Sequence, residues 1–279
     1  MKYRRLAAIV TLFWLLLAAV GPRFAPYSYR AQDRDCVLHP PCRDCGTSDA
    51  GRQQAHWLGT DDLGRDVLSR LLYAIRISLA LALAMAGGAL AIAVPVGLWS
   101  AASRTIDVPG RIAGEVVRGL PWIFVVLALR AALPLNAAPL TLVLLLVGVF
   151  AAAAWAVPAW IFRGAARALL QREFVAAAQA LGASRRYLLR RHLWPNLQPL
   201  VLTYFAFLFI AAALAEVSLA MVGLGIPEPL PSLGNMLAVL RNPALAQHDW
   251  WLLTPLAVLV PLLTCLNLYA FSESRRPSG

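Results

Sequence analysis

Cys36, Cys42 and Cys45, with His39 among them, are the residues whose types and spacing come nearest to a chemical site in this chain. In an oxidising compartment three such thiols form one disulfide, Cys36 to Cys42 or Cys36 to Cys45, and leave one thiol over. With His39 they also supply four zinc-ligand types, but one CxxC without a second pair is a weak zinc signature, so no metal is assigned. Free thiols without a role are the remaining reading. His56, Asp61, Asp62 and Asp66 are metal-capable too, yet they flank Thr60 just before an apolar stretch, where such residues cap helices or meet water. Glu216 is the one acid in a long apolar run. A lone carboxyl in a membrane belongs in a protein interior or on a water-filled path, unless it reaches the interface. Ser218 does not turn it into a nucleophile–base pair, because positions two apart do not share a helix face.

What is missing narrows the chemistry further. The chain has no GxxxxGK[ST] loop and is not expected to hydrolyse ATP by that machinery. Its apolar runs hold no histidine, aspartate or lysine, which leaves an intramembrane hydrolase without a base or a metal at depth.

The elements that position these residues follow from composition. With 60% hydrophobic and 14% charged residues, the chain is too apolar for a water-soluble domain, and a bilayer is its natural solvent. Six apolar windows predict an all-α integral membrane protein: 6–20, 77–99, 120–135, 139–162, 200–221 and 252–271. Pro95 is a kink candidate in the second, Arg130 near the end of the third reaches the interface by snorkelling, and Cys265 in the last is packing. The N-terminal run also has the form of a signal peptide, but Gly21-Pro22 makes a poor cleavage site, so an uncleaved first span is preferred. The expected organisation is a first spanning helix at 1–21 and an extracytoplasmic segment at 22–75 that ends in an amphipathic surface helix. A membrane domain at 76–272 containing a cytoplasmic loop at 163–198 follows, then a cytoplasmic tail at 273–279.

A net charge of +11 raises the question of nucleic acid, but its distribution answers for topology. Basic residues at 2–5, 104–118, 163–191 and 275–276 lie on one side of the predicted spans, whereas arginines on the other side are nearly cancelled by aspartates. The positive-inside rule then places both termini in the cytoplasm.

A polar, strongly basic island at 173–196 lies between two long apolar runs. Phe174, Ala178 and Leu181 recur at helical spacing with Val175 and Ala177 beside them. Gly182 stops that helix, Ser184 caps a second carrying Arg186 and Arg190, and Pro195 is expected to break it. The pattern predicts a helix, glycine turn, helix hairpin.

This stretch resembles the cytoplasmic EAA loop of ABC-transporter permeases, in which a proline follows the glycine by thirteen residues, as Pro195 follows Gly182. The family glutamate of the Glu-Ala-Ala triplet is Ala176 here. More narrowly, Glu173-Phe-Val through Gly182-Ala-Ser and Arg191-His-Leu-Trp-Pro-Asn196 are similar to the second permease of oligopeptide, dipeptide and nickel importers. So are His56-Trp-Leu-Gly-Thr-Asp-Asp-Leu-Gly-Arg-Asp-Val-Leu-Ser-Arg70 and the Gly/Pro-rich 222–236 segment.

The resemblance implies an importer-type permease fold in the bacterial inner membrane and a subunit that is not itself an enzyme. Its implied partners are a second permease, cytoplasmic ABC ATPase subunits and an extracytoplasmic solute-binding protein. It binds no cofactor directly, since ATP and Mg sit on the ATPases. Glu173, Phe174, Val175, Ala177, Ala178, Leu181, Gly182, Arg186, Arg190 and Pro195 become the ATPase-coupling residues, with Phe174, Val175, Ala178 and Leu181 as the contact face. Peptides or a related small solute are the expected cargo, and Glu216 is a translocation-path candidate. The competing reading is an ion- or proton-coupled carrier that uses Glu216, although the internal repeats common in such carriers are not evident.

Overall fold

The structure, a computed structural model, describes residues 2–43, 55–134 and 137–274. Among these the chain is helical, with two isolated bridges, Cys42 to His56 and Thr60 to Asp66, as its extended pairings. In order the helices are α1 (Lys2–Val20), α2 (Val67–Ala102), α3 (Arg104–Gly119), α4 (Trp122–Ala132), α5 (Pro139–Ala154) and α6 (Ala156–Leu170). They continue with α7 (Glu173–Ala180), α8 (Arg185–Leu188), α9 (Trp194–Met221), α10 (Leu233–Leu237), α11 (Pro243–His248) and α12 (Thr254–Ser274).

Three helical runs among the described residues are long and apolar enough to cross a bilayer: Val67–Ala102, Arg186–Met221 and Trp250–Phe271. Two bent pairs, α3 with α4 at 79° and α5 with α6 at 43°, raise the number to five if each pair is one span. The chain is therefore an all-α membrane protein whose spans are less regular than six simple helices. The expected third span fails as a single helix. At 11 residues α4 is about 16 Å long, against a hydrocarbon core of about 30 Å. The reason is Pro121, which drives Leu120 out of the helical region to φ −83°, ψ 124°. Pro158 accounts for the second break, because its ring clashes with the carbonyl four residues back, at Ala154, where α5 stops.

The amphipathic surface helix expected before the second span is not a separate element. From Val67 to Ala102 the helix is continuous over 36 residues, with Pro95 inside it. Asp66 caps it, its carboxylate accepting the Ser69 N–H at 2.7 Å. Of the apolar residues expected on one face there, Val67, Leu71, Leu72 and Ile75 are buried and Leu68 is half-buried.

The chain forms two compact units, one from the described residues of 1–82, 136–143 and 213–269, the other from those of 83–135, 144–212 and 270–279. In the first, Val67, Trp251 and Leu252 form a core with Leu38, Leu58, Met236 and Val239 packed on it. In the second, Ala166, Leu193 and Leu197 are the core, covered by residues that include Leu98, Leu169, Leu189 and Leu200. There α2 and α6 touch closely enough that a Cβ at Gly97 would lie 2.7 Å from the Ala159 carbonyl oxygen. Asp107 of α3 ties in α6 by accepting from Arg163 and, at 2.9 Å, from Arg167. Three guanidiniums, of Arg111, Arg118 and Arg163, lie 5.4, 5.4 and 5.8 Å from the Trp160 ring.

Candidate functional site

In the second unit, the 173–196 island folds as a hairpin. α7 ends where Gly182 takes φ +83°, a left-handed conformation that favours glycine. Ala183 N–H donates to the Ala178 carbonyl at 3.0 Å, the six-to-one bond of a Schellman turn. Ser184 then caps α8, its hydroxyl accepting the Tyr187 N–H at 3.3 Å. A π-helical turn at Leu189–Leu193 follows, and the chain runs on into α9.

Pro195 does not break this helix. It falls at the first turn of α9, and the π turn just before it re-registers the backbone around the missing donor. The Asn196 amide closes the junction by donating to the His192 carbonyl at 2.6 Å.

The expected contact face divides in two. Val175 is buried within the chain itself, while Phe174 and Leu181 are 46% and 89% exposed. Ala178 is half-buried, and Glu173 and Ala177 are exposed. Helical geometry explains the split, since Val175 lies about 100° around the helix from Phe174. Arg186 and Arg190 line an open groove of about 520 Å³ with Ser184, Tyr187 and Arg191.

His192 was not singled out by the sequence reading. Its ring lies 5.8 Å from that of Phe174 and 5.7 Å from that of Tyr187, bringing the two arms of the hairpin together. Its place inside the matched Arg-His-Leu-Trp-Pro-Asn stretch was the available signal.

In the first unit, the His56–Arg70 stretch forms a buried polar network. His56 Nδ1 and Asp66 Oδ1 are 2.9 Å apart, and His56 Nε2 stands 3.9 Å from Asp33 Oδ2. Thr60 donates its hydroxyl to the Cys36 carbonyl at 2.5 Å and accepts the His39 N–H at 2.9 Å. Asp61 accepts the Leu63 and Arg65 backbone N–H groups and the Arg65 guanidinium, the last at 2.7 Å. Asp61 and Asp66 are thus engaged with arginine, backbone and His56, whereas Asp62 is exposed and stands 4.0 Å from Arg65.

The cysteines differ from expectation. Cys42 is disulfide-bonded, but Cys36 is a free thiol, so neither Cys36–Cys42 nor Cys36–Cys45 forms. Cys45 itself lies outside the described residues. Cys36 is buried, and that burial, reinforced by the nearby Asp33 carboxylate, pushes its thiol pKa up.

The Gly/Pro-rich 222–236 segment folds back on α9 and α2. Glu216 is 2% exposed, and its carboxylate accepts the Gly234 N–H at 3.2 Å, with the Ser78 and Ser232 hydroxyls nearby. Ser78 also accepts the Leu233 N–H at 2.9 Å. A Cβ at Gly234 would lie 2.9 Å from both Ala220 Cβ and Glu216 Oε1. Glu216 therefore staples the irregular segment to its helix, supplying acceptors where lipid has none. From the same segment Glu228 reaches Arg65 at 2.8 Å and Arg70 at 3.0 Å.

Long apolar helices broken at prolines, with an ordered basic hairpin between α6 and α9, define a polytopic helical membrane protein with a docking element. Residues 93–275 match the family of binding-protein-dependent transport system inner membrane components, and the chain belongs to that family. It is similar to the oligopeptide transport system permease protein OppC of Mycobacterium tuberculosis, 32% identical over 278 residues that cover 95% of this chain and 87% of the relative. Its likeness to the Bacillus subtilis OppC is 30% over 276 residues, 97% of this chain and 82% of that one. To the dipeptide transport system permease protein DppC of the same organism it is 30% identical over 265 residues, 94% of this chain and 76% of the relative. The chain is thus an OppC/DppC-like permease of the inner membrane, and its family is one of membrane permeases rather than ATPases.

Proposed function

We propose that this chain is one of two membrane-spanning subunits of an ATP-driven importer of short peptides, and that the 173–195 hairpin is its coupling element. The observation that carries the reading is a hairpin, turned at Gly182 and bridged by the His192 ring, that presents Phe174 and Leu181 to the outside of the chain. Large apolar side chains on a short helix are what a groove on another protein receives. Phe174, Ala178 and Leu181 seat in a groove of a cytoplasmic ATPase that binds ATP and Mg, with Glu173 and Ala177 at the rim. Arg186 and Arg190 add peripheral charge, and Val175 anchors the hairpin to its own subunit. Closure of the nucleotide domains moves the hairpin, and the continuous helix from Arg186 to Met221 carries that movement into the membrane. A second permease completes the path, a solute-binding protein delivers the peptide outside, and both termini are cytoplasmic.

The test is uptake and ATP turnover by the complex reconstituted in liposomes, comparing wild type with Gly182→Pro and Ala178→Asp. The expected result is loss of the ATPase subunits from the purified complex, or ATP turnover without uptake, while the permease still inserts. Uptake that survives both changes and follows a proton gradient and Glu216 overturns the reading in favour of a carrier.

A further inference from the structure

The cluster around Glu228 plays no part in the hairpin, and a cavity of about 550 Å³ opens beside it. Pockets that take small molecules run from about 300 to 1,000 Å³. The cavity's ionic lining is balanced, with Arg65, Arg70 and Arg241 set against Asp61, Asp62 and Glu228. Such a wall suits a molecule that carries both charges at once better than a bare anion or cation.

The pairing within that wall is uneven. Arg65 is engaged by Asp61 and Glu228. Arg70 is 3% exposed, gives one N–H to Glu228 and has Asp61 3.5 Å from its Nε, yet its Nη1 is buried without a partner. Arg241 is exposed, with no carboxylate in ion-pair range among the described residues. A guanidinium binds a carboxylate best through two N–H groups, so Arg70 is an incompletely used fork. Of the two carboxylates now near it, Asp61 is 13% exposed but Glu228, the closer, is 50% exposed, and an ion pair open to water exchanges easily. Asp62 is 65% exposed and lies 4.0 Å from its nearest arginine, Arg65, which leaves it open to a cationic group.

We propose that this cavity receives the free α-carboxylate of a short peptide, which takes the place of Glu228 on Arg70 and is completed by Arg241, while Asp62 holds the peptide's ammonium group. Glu228 is then a built-in stand-in for the ligand. Because it also holds the 222–232 segment against Arg65 and Arg70, its displacement frees that segment as the peptide arrives. The inference rests on the peptide-importer reading and names how that importer's permease recognises its cargo. A carboxylate on a docked protein would bring no ammonium group for Asp62, and the balanced wall therefore favours a zwitterion.

The experiment is calorimetric titration of the full-length chain in lipid nanodiscs with trialanine, with trialanine amide, and with Ala-Asp-Ala capped at both ends. Trialanine is expected to bind, and its amide to bind about tenfold more weakly for want of one charge-assisted contact. Arg241→Ala is expected to weaken trialanine by a similar factor. Glu228→Gln is expected to strengthen it a few-fold by removing the competitor, a gain that a poorly folded variant cannot mimic. The proposal falls if trialanine does not bind, if the amide binds equally well, or if Glu228→Gln weakens binding. A preference for the capped aspartyl peptide reassigns the cavity to an acidic side chain of a docking protein and overturns it as well. ATP-driven uptake by the hairpin variants decides the importer reading separately, so the two failures are distinguishable.

Discussion

Trp251 donates its indole N–H to the backbone carbonyl of Thr60 at 3.0 Å, across 191 positions of sequence. The same ring lies against Gly59, whose φ is +73° and where a Cβ would sit 2.6 Å from the His39 carbonyl oxygen and 2.9 Å from Trp251 Cδ1. The 56–70 turn is thereby fastened to the start of the last spanning helix. Trp251→Phe keeps most of the buried area and loses the bond, at a cost of about 1 kcal/mol. Gly59→Ala adds left-handed strain to backbone overlap and costs about 3 kcal/mol or more. Thermal unfolding in detergent should rank wild type above Trp251→Phe and both above Gly59→Ala; the reverse order would mean that the turn is not clamped there.

Glu216 is a buried acceptor that holds the Gly234 N–H beside two serine hydroxyls, so its shape and acceptor count matter more than its charge. Glu216→Gln retains one acceptor oxygen and is expected to cost about 1 kcal/mol. Glu216→Leu strands the Gly234 N–H and sets an apolar group beside the Ser78 and Ser232 hydroxyls, and is expected to cost about 3 kcal/mol or more. Size-exclusion profiles of the purified variants check this, with Gln monodisperse and Leu depleted or aggregated. Glu216→Gln should also leave ATP-driven uptake within about twofold, since a change that small in rate is under 1 kcal/mol. Abolished uptake with a normal folding profile would instead return Glu216 to the path.

Cys36 contributes to the pH dependence at alkaline pH. Its thiol is held above the ordinary value by burial first and the Asp33 carboxylate second. Below about pH 8.5, the value for a free thiol, it is protonated in both folded and unfolded chains and contributes no pH dependence. Above that, the unfolded chain loses the proton while the folded chain keeps it, so stability falls as pH rises until the folded pKa is passed. Wild type is therefore expected to lose more stability than Cys36→Ala between pH 8.5 and 10, as thermal unfolding across that range would show. Alkylation by iodoacetamide at pH 8 should be slow in the folded protein and fast in denaturant. Equal rates would show that the thiol is accessible.

At Gly182 the space is open but the backbone is not permissive, with no atom within 4 Å of a built Cβ and φ at +83°. Conformation, not size, should govern substitution. Asn, which tolerates the left-handed region, is expected to retain most uptake, whereas Ala costs about 1 kcal/mol in the turn and reduces coupling several-fold. The ratio of peptide imported to ATP hydrolysed in liposomes is the readout, ordered Gly, Asn, Ala. Equal ratios for Asn and Ala would mean that the turn relaxes without consequence.

The sequence by itself determined the solvent, the helical class, the two arms of the hairpin and its family, because each is written locally. Apolar run length defines a span, Gly182 must take positive φ, and Ser184 caps the next turn whatever surrounds them. Span integrity was less legible. Leu120-Pro121 and Pro158 break helices that hydropathy reads as continuous, while Pro195 falls where a π turn absorbs it, and no window average separates these cases. Pairings across long separations belonged to the tertiary structure alone. Glu228 meeting Arg65 and Arg70, Trp251 meeting Thr60, Glu216 meeting Ser78, and the exclusion of Cys36 from any bridge all follow from how distant segments pack. A side chain's partner in a folded chain is set by which surfaces bury each other, and that information is shared between segments rather than carried by either one.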